Sequence, residues 1–300
     1  MSRVRIPLLI ALSICVIGIV FGSFFDLNIS SAIASPKSIV GLTISSIGPT
    51  IAFGGIAVMG GGFVAFALQG KRHIVFKIIF FVLAVAFYVL SIAYPGGEYF
   101  GLNGFYGAAP EWVGYVIVFF PQTAAAIGGY FLFKDCENKN AWIVFCIAIS
   151  IILLVLFAII PPIKNIMHRP RYRLIVSSEV AFHNWWEQCK NYKELMALYD
   201  APKENFKSYP SGHAAESSIL FVCAVLLPVA DPRYKKLQMP LFFGACDLVS
   251  LVMLARILAA AHFLSDVSWG AFIMLAVLFI ANEIVIRVKP LHHNEIESKN

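Results

Sequence analysis

The chain has 300 residues, of which 59% are hydrophobic and 13% charged, with a mean hydropathy of +0.79. A soluble domain carries about 25% charged residues, so this composition excludes a soluble globular protein and points to an integral membrane one. The net charge of +6 calls for no nucleic-acid partner, because Lys and Arg gather at the ends of apolar runs, where membrane topology places them.

Those runs are long and unbroken rather than alternating, which excludes a membrane β-barrel and leaves an all-α polytopic bundle of about eight transmembrane helices. The first span is predicted over residues 6–25, behind basic Arg3 and Arg5. It exceeds the usual 7–15-residue signal region, so an uncleaved helix is expected, although Ala32-Ile33-Ala34 has the look of a cleavage site. Residues 26–46 read as a Ser-rich connection. The second span, 47–68, carries Gly54, Gly55, Gly60, Gly61 and Gly62, small residues that let helices approach closely in lipid. A basic turn at 70–73 leads to a third span, 74–94. Residues 95–111 form a Gly- and aromatic-rich connection suited to the membrane interface. The fourth span, 112–133, is interrupted at Pro121-Gln122, and the fifth, 141–160, stops at Pro161-Pro162.

Residues 1–160 thus form an N-terminal membrane region of about five spans, and 161–288 a second region. In the latter, 164–209 is the longest polar segment. Residues 177–198 fit an amphipathic helix lying on the bilayer, and Trp185-Trp186 read as interface anchors. Three further spans are expected at 211–229, 239–258 and 266–286, followed by a polar cytoplasmic tail, 289–300, with a solvated His292-His293. With eight spans, the N-terminus, Lys71-Arg72, Lys235-Lys236, Arg287 and Lys289 share one side, which the positive-inside rule makes cytoplasmic. Six cysteines, four of them in apolar runs, form neither a disulfide framework nor a metal-like spacing. Glu216 and Asp247 lie inside apolar spans, as intramembrane acids with no assigned catalytic role.

Three polar segments fall together on the opposite, non-cytoplasmic side. The first runs from Lys164 to Arg171, seven residues apart, a spacing that two turns of helix would place on one face. The second is Pro210-Ser211-Gly212-His213, with proline expected at a first helical position and bare Gly212 open to close approach by a phosphate. The third is Arg256, His262 and Asp266. His262 and Asp266 are one helical turn apart, whereas Arg256 and His262 are six apart, so a helix break is predicted near 259–262. Lys and Arg neutralise a phosphoryl group. One His can attack phosphorus, and another can protonate the leaving oxygen.

These segments resemble the type 2 phosphatidic acid phosphatase superfamily, the lipid phosphate phosphatases. Its pattern is Lys, six residues, Arg-Pro; then Pro-Ser-Gly-His; then Ser-Arg, five residues, His, three residues, Asp. Lys164, Arg171, Arg256, His262 and Asp266 match by spacing, and 210–213 match in full. Tyr172 stands where the pattern has Pro, the Arg-Pro pair itself being Arg169-Pro170, so Arg169 rivals Arg171. Ala255 replaces Ser, and eight spans exceed the usual six. The resemblance implies that His262 is the nucleophile, forming a phosphohistidine, that Asp266 orients it, and that His213 is the general acid. It implies phosphate binding by Lys164, Arg171, Ser211, Gly212 and Arg256, with no metal or cofactor, and places the phosphatase core in the C-terminal half. The expected activity is hydrolysis of a lipid phosphomonoester or diphosphate: an isoprenyl diphosphate, phosphatidylglycerol phosphate or phosphatidic acid. The alternatives are a phosphotransferase of the same family and a non-catalytic lipid-binding or transport protein. The expected location is the cell membrane, amid membrane lipids, with the site facing outward.

Overall fold

The computed structural model describes residues 4–69, 73–98, 112–134, 139–230 and 232–297. It is 83% helical, with no strand among the described residues. The helices are α1 (Arg5–Ile33), α2 (Ile39–Leu68), α3 (Ile74–Glu98), α4 (Trp112–Lys134), α5 (Lys139–Met167), α6 (Tyr172–Ser177), α7 (Tyr192–Leu198), α8 (Gly212–Ser217), α9 (Phe221–Ala230), α10 (Gln238–Leu258) and α11 (Leu264–Glu297). Seven of them, α1 to α5, α10 and α11, are long and apolar enough to cross a membrane. The eighth expected span is the shorter run α8–α9, broken by a 3₁₀ turn at Ser218–Leu220. Ser217 and Ser218 explain the break: both hydroxyls donate to the Ala214 carbonyl, at 3.2 and 2.7 Å, in competition with the helix ladder.

Several helices are longer than the sequence suggested. The 26–46 connection shrinks to five residues, because α1 runs on to Ile33 and α2 begins at Ile39. Asp26 and Ser30 are buried interior residues, and the polarity of Asp26 marks a contact with Arg169 and not a loop. Ser38 caps α2 by accepting the Gly41 amide at 3.1 Å. Neither Pro121 nor the Pro161-Pro162 pair ends its helix. A proline removes one ladder bond, and neighbouring helices in a membrane bundle tolerate that loss. At the far end α11 continues to Glu297, into the expected tail.

The amphipathic helix expected at 177–198 is not formed. Beyond Ser177, which ends α6, only Tyr192–Leu198 is helical there. Its apolar residues pack inward instead: Val180 and Cys189 join Leu174, Ala201 and Phe206 in a small separate core. The Cys189 amide donates to Met167 O and Gln188 to Ile166 O, at 3.0 and 2.7 Å. Residues 178–209 are thereby a cap folded onto the helix ends. Trp185, expected as an interface anchor, is part of this cap. It donates to Ser23 Oγ at 2.9 Å and packs against Tyr209 and Trp269.

Helix α2 packs against α3, α4 and α10, and α1 lies along α11. The expected close approach of a Gly-rich second span is present, since a Cβ on Gly61 would collide with the Ala126 carbonyl of α4. Lys71, Arg72, residues 99–111, Cys136 and Asp231 lie outside the described residues.

Candidate active site

Lys164 sits in the last turn of α5. The helix ends at Met167, and His168 adopts a left-handed φ of 49° while stacking on Tyr192 with 3.5 Å between ring centroids. Arg169 to Arg171 then run extended beside 205–208. The Arg171 amide donates to Asn205 O at 2.8 Å, and the Ser208 amide to Arg169 O at 3.0 Å. Lys164 and Arg171 therefore do not share a helical face as their spacing suggested. They converge because both line one cavity.

Arg169 points elsewhere. Its side chain is wholly buried and donates through Nε to His183 O, through Nη1 to Ser265 Oγ and Asp266 Oδ1, and through Nη2 to Asp26 Oδ2. Of the two rival arginines, only Arg171 lines the cavity.

In the second segment Ser211, not Pro210, begins the helix. Ser211 is the N-cap of α8, accepting the Ala214 amide at 3.4 Å, and Pro210 stands one residue outside. The Ser211 amide donates to Asp266 O at 3.0 Å, which ties this loop to the start of α11. A Cβ on Gly212 would come within 3.6 Å of Lys164 Nζ and 3.1 Å of Glu216 Oε1. The bare backbone leaves that space open at the cationic wall. His213 is buried next to it and lines the cavity.

The predicted break in the third segment is present. Helix α10 closes with Ala260 in the left-handed region at φ 54°. The Ala261 amide donates to Arg256 O at 3.1 Å and the Ala260 amide to Ile257 O at 2.9 Å, the paired bonds of a Schellman motif. Leu264 opens α11, with Asp266 in its first turn.

His262 and Asp266 approach without bonding, at 3.9 Å between Nδ1 and Oδ2. The His262 Nδ1 contact is the Ser208 carbonyl at 2.6 Å. A carbonyl can only accept, so Nδ1 carries the hydrogen and Nε2 the lone pair. Asp266 Oδ2 accepts the Ser208 hydroxyl at 2.5 Å and the Phe263 amide at 2.9 Å. The carboxylate thus reaches the imidazole through Ser208, a residue that sequence spacing gave no reason to select. Nε2 is buried with no hydrogen-bond partner.

The cavity has a volume of about 320 Å³. Lys164, Arg171, Arg173, Lys207 and Arg256 bring cations to it, and Glu204 and Glu216 bring carboxylates. Leu156, Phe157 and Ile160 of α5, with Tyr94 of α3, add an apolar side. Tyr94 donates to Glu216 Oε1 at 2.5 Å. His262 lies behind the wall, where its chain neighbour Ala261 lines the cavity. Burial, then the charges of Arg256, Arg171 and Lys164, hold the His262 imidazole well below its usual basicity. Burial alone would raise the Glu204 carboxyl, but Lys207, Arg171 and Lys164 override it and keep Glu204 below its ordinary value. Among the described residues no group of three or more His, Cys, Asp and Glu side chains is placed to hold a metal ion.

Arg173 and Lys207 were not legible as cavity residues, since they fall outside the three motif segments. A neutral imidazole with a fixed tautomer beside a cavity lined with cations is equipped for nucleophilic attack on a phosphoryl group. A family model described as the PAP2 superfamily matches residues 139–289, half of the chain. No curated protein and no solved structure matches it.

Proposed function

The chain belongs to the PAP2 superfamily, and from that premise we propose that it is a membrane-embedded lipid phosphatase working through a phosphohistidine. Family membership supports a phosphoric ester hydrolase. The finer reading rests on one observation: His262 presents a proton-free Nε2 behind a cavity that gathers Lys164, Arg171, Arg256, Gly212 and His213. Lys164 and the two arginines hold the phosphoryl oxygens and spread the charge that builds in the transition state. Nε2 attacks phosphorus while Nδ1 keeps its proton, donated to Ser208 O, so the ring becomes cationic as the bond forms. His213 gives a proton to the departing lipid oxygen or phosphate, then takes one from the water that cleaves the phosphohistidine. The cations do the electrostatic work, so no metal is invoked.

The apolar side of the cavity suits an amphiphilic substrate, and the candidates stay those the motifs implied: an isoprenyl diphosphate, phosphatidylglycerol phosphate or phosphatidic acid. The positive-inside rule orients the site away from the cytoplasm.

Phosphate release from these three lipids, in detergent with EDTA, tests the reading in wild type and His262→Ala. Release by wild type that His262→Ala abolishes is expected, and the ranking names the lipid class. Release that survives His262→Ala would remove the phosphohistidine from the mechanism. No release from folded wild-type protein would favour the lipid-binding alternative.

A further inference from the structure

We propose that Asp26, on the first helix, is a positioning residue of the catalytic centre, acting through Arg169 on Asp266. The inference rests on the reading of His262 and Asp266 given above. Asp26 lies outside the region that the family model matches, residues 139–289.

The links are all short and buried. Asp26 Oδ2 accepts from Arg169 Nη2 at 2.9 Å, and Arg169 Nη1 donates to Asp266 Oδ1 at 2.5 Å. All three side chains are fully removed from solvent. Ser265 stitches the pair together: its amide donates to Asp26 Oδ1 at 2.9 Å, its hydroxyl bonds Asp26 Oδ2, and its oxygen accepts from Arg169. Phe263 lies against the guanidinium, with the ring centroid 4.4 Å from Cζ. On the other side of Asp266, Oδ2 holds the Ser208 hydroxyl, and Ser208 O holds His262.

The orientation of the imidazole is thus the last link of a chain that starts on α1. A guanidinium is a rigid planar fork, so fixing one side of it fixes where the other side presents its hydrogens. Asp26 fixes the Nη2 side, and Asp266 receives the Nη1 side. The helix is built to come this close. One turn before Asp26, a Cβ on Gly22 would lie 2.7 Å from both Asp26 Oδ1 and the Ser265 amide. A helix serving only to anchor the chain in lipid has no use for a buried carboxylate.

The test compares wild type, His262→Ala, Asp26→Asn and Ser265→Ala, each as full-length protein in detergent. Phosphate release gives kcat and KM, and melting temperature gives the folded state. Release by wild type and its loss in His262→Ala establish the reaction. If either fails, the reading of His262 falls and takes the role of Asp26 with it. Given both, Asp26→Asn keeps the shape but loses the charge. It is expected to lower kcat by about tenfold or more, the scale of a small misplacement of a catalytic group, with KM within about twofold because no phosphate contact is lost. Ser265→Ala removes the hydroxyl's bonds to Asp26 and Arg169 and should lower kcat by about threefold with KM unchanged. A shift in melting temperature alone, with kcat per folded molecule at the wild-type level, would make the cluster a structural staple and overturn the proposal. If Asp26→Asn is not recovered folded, Ser265→Ala decides: a kcat loss at constant KM supports the role, and wild-type kcat overturns it.

Discussion

Arg169 and Arg171 stand two residues apart in the chain and meet opposite surroundings, so their replacements should fail in different ways. Arg171 lines the cavity. Arg171→Gln is expected to fold normally and to lose about 100-fold in kcat/KM, the usual cost of removing one transition-state donor. Arg169 lies between two buried carboxylates. Arg169→Gln strands both, and stranding a buried charge costs about 3–5 kcal/mol. That variant should melt far earlier than Arg171→Gln, and thermal melts of the two in one detergent check the contrast. A melting temperature lowered by Arg171→Gln and untouched by Arg169→Gln would reverse the assignment. The same surroundings shape the pH response. Burial and the neighbouring cations keep His262 unprotonated well below its ordinary value. Wild-type kcat/KM should therefore show no acid-side loss from His262 at its ordinary pKa of about 6.5. Arg256→Gln removes a positive neighbour, makes the imidazole easier to protonate, and should move the acid limb to higher pH. Comparing the two profiles on one substrate cancels the ionisation of the substrate itself.

At the scale of elements, the turn between α10 and α11 sets the distance from Arg256 to His262. A left-handed residue is needed to close it, and the chain uses Ala260 where glycine is the common choice. The left-handed region costs an L-residue roughly 1–2 kcal/mol. Ala260→Gly should therefore be neutral or raise stability by up to about 1 kcal/mol, whereas Ala260→Val should lower both melting temperature and activity. The break itself was legible beforehand, because six residues cannot bring Arg256 and His262 to one helical face. The motif residues were legible for the same kind of reason: chemistry fixes their types and spacing. Helix lengths were not. Asp26 reads as part of a loop until Arg169 supplies a buried partner, and that partner is 143 positions away. Pro161-Pro162 read as a stop, yet α5 passes through them and carries Lys164 to the cavity. Ser208 could not be found, since it holds His262 by a backbone carbonyl, which every residue has, and its hydroxyl meets Asp266 only 58 positions along the chain.

At the scale of the whole molecule, the site is assembled where helix ends meet: the last turns of α5 and α10, the starts of α8 and α11, and the end of α1. Helices α1 and α11, first and last in sequence, lie side by side, and this brings Asp26 to Asp266. The shared end follows from chain parity, so it depends on the broken run α8–α9 crossing the bilayer. That run spans residues 212–230, about 30 Å at helical rises, which matches the roughly 30 Å hydrocarbon layer with nothing to spare. Lys190 is exposed on the cap, and Lys235 is exposed just beyond α9. Only this run separates them. With the native cysteines replaced, Lys190→Cys should react with an impermeant maleimide added to intact cells, and Lys235→Cys only after permeabilisation. The reverse pattern would place the cavity in the cytoplasm and require a lipid substrate of the inner leaflet. Labelling of both from one side would mean that α8–α9 re-enters without crossing. The basic Lys235-Lys236 pair would then lie on the side of the cavity's cations, against the charge asymmetry expected from the positive-inside rule.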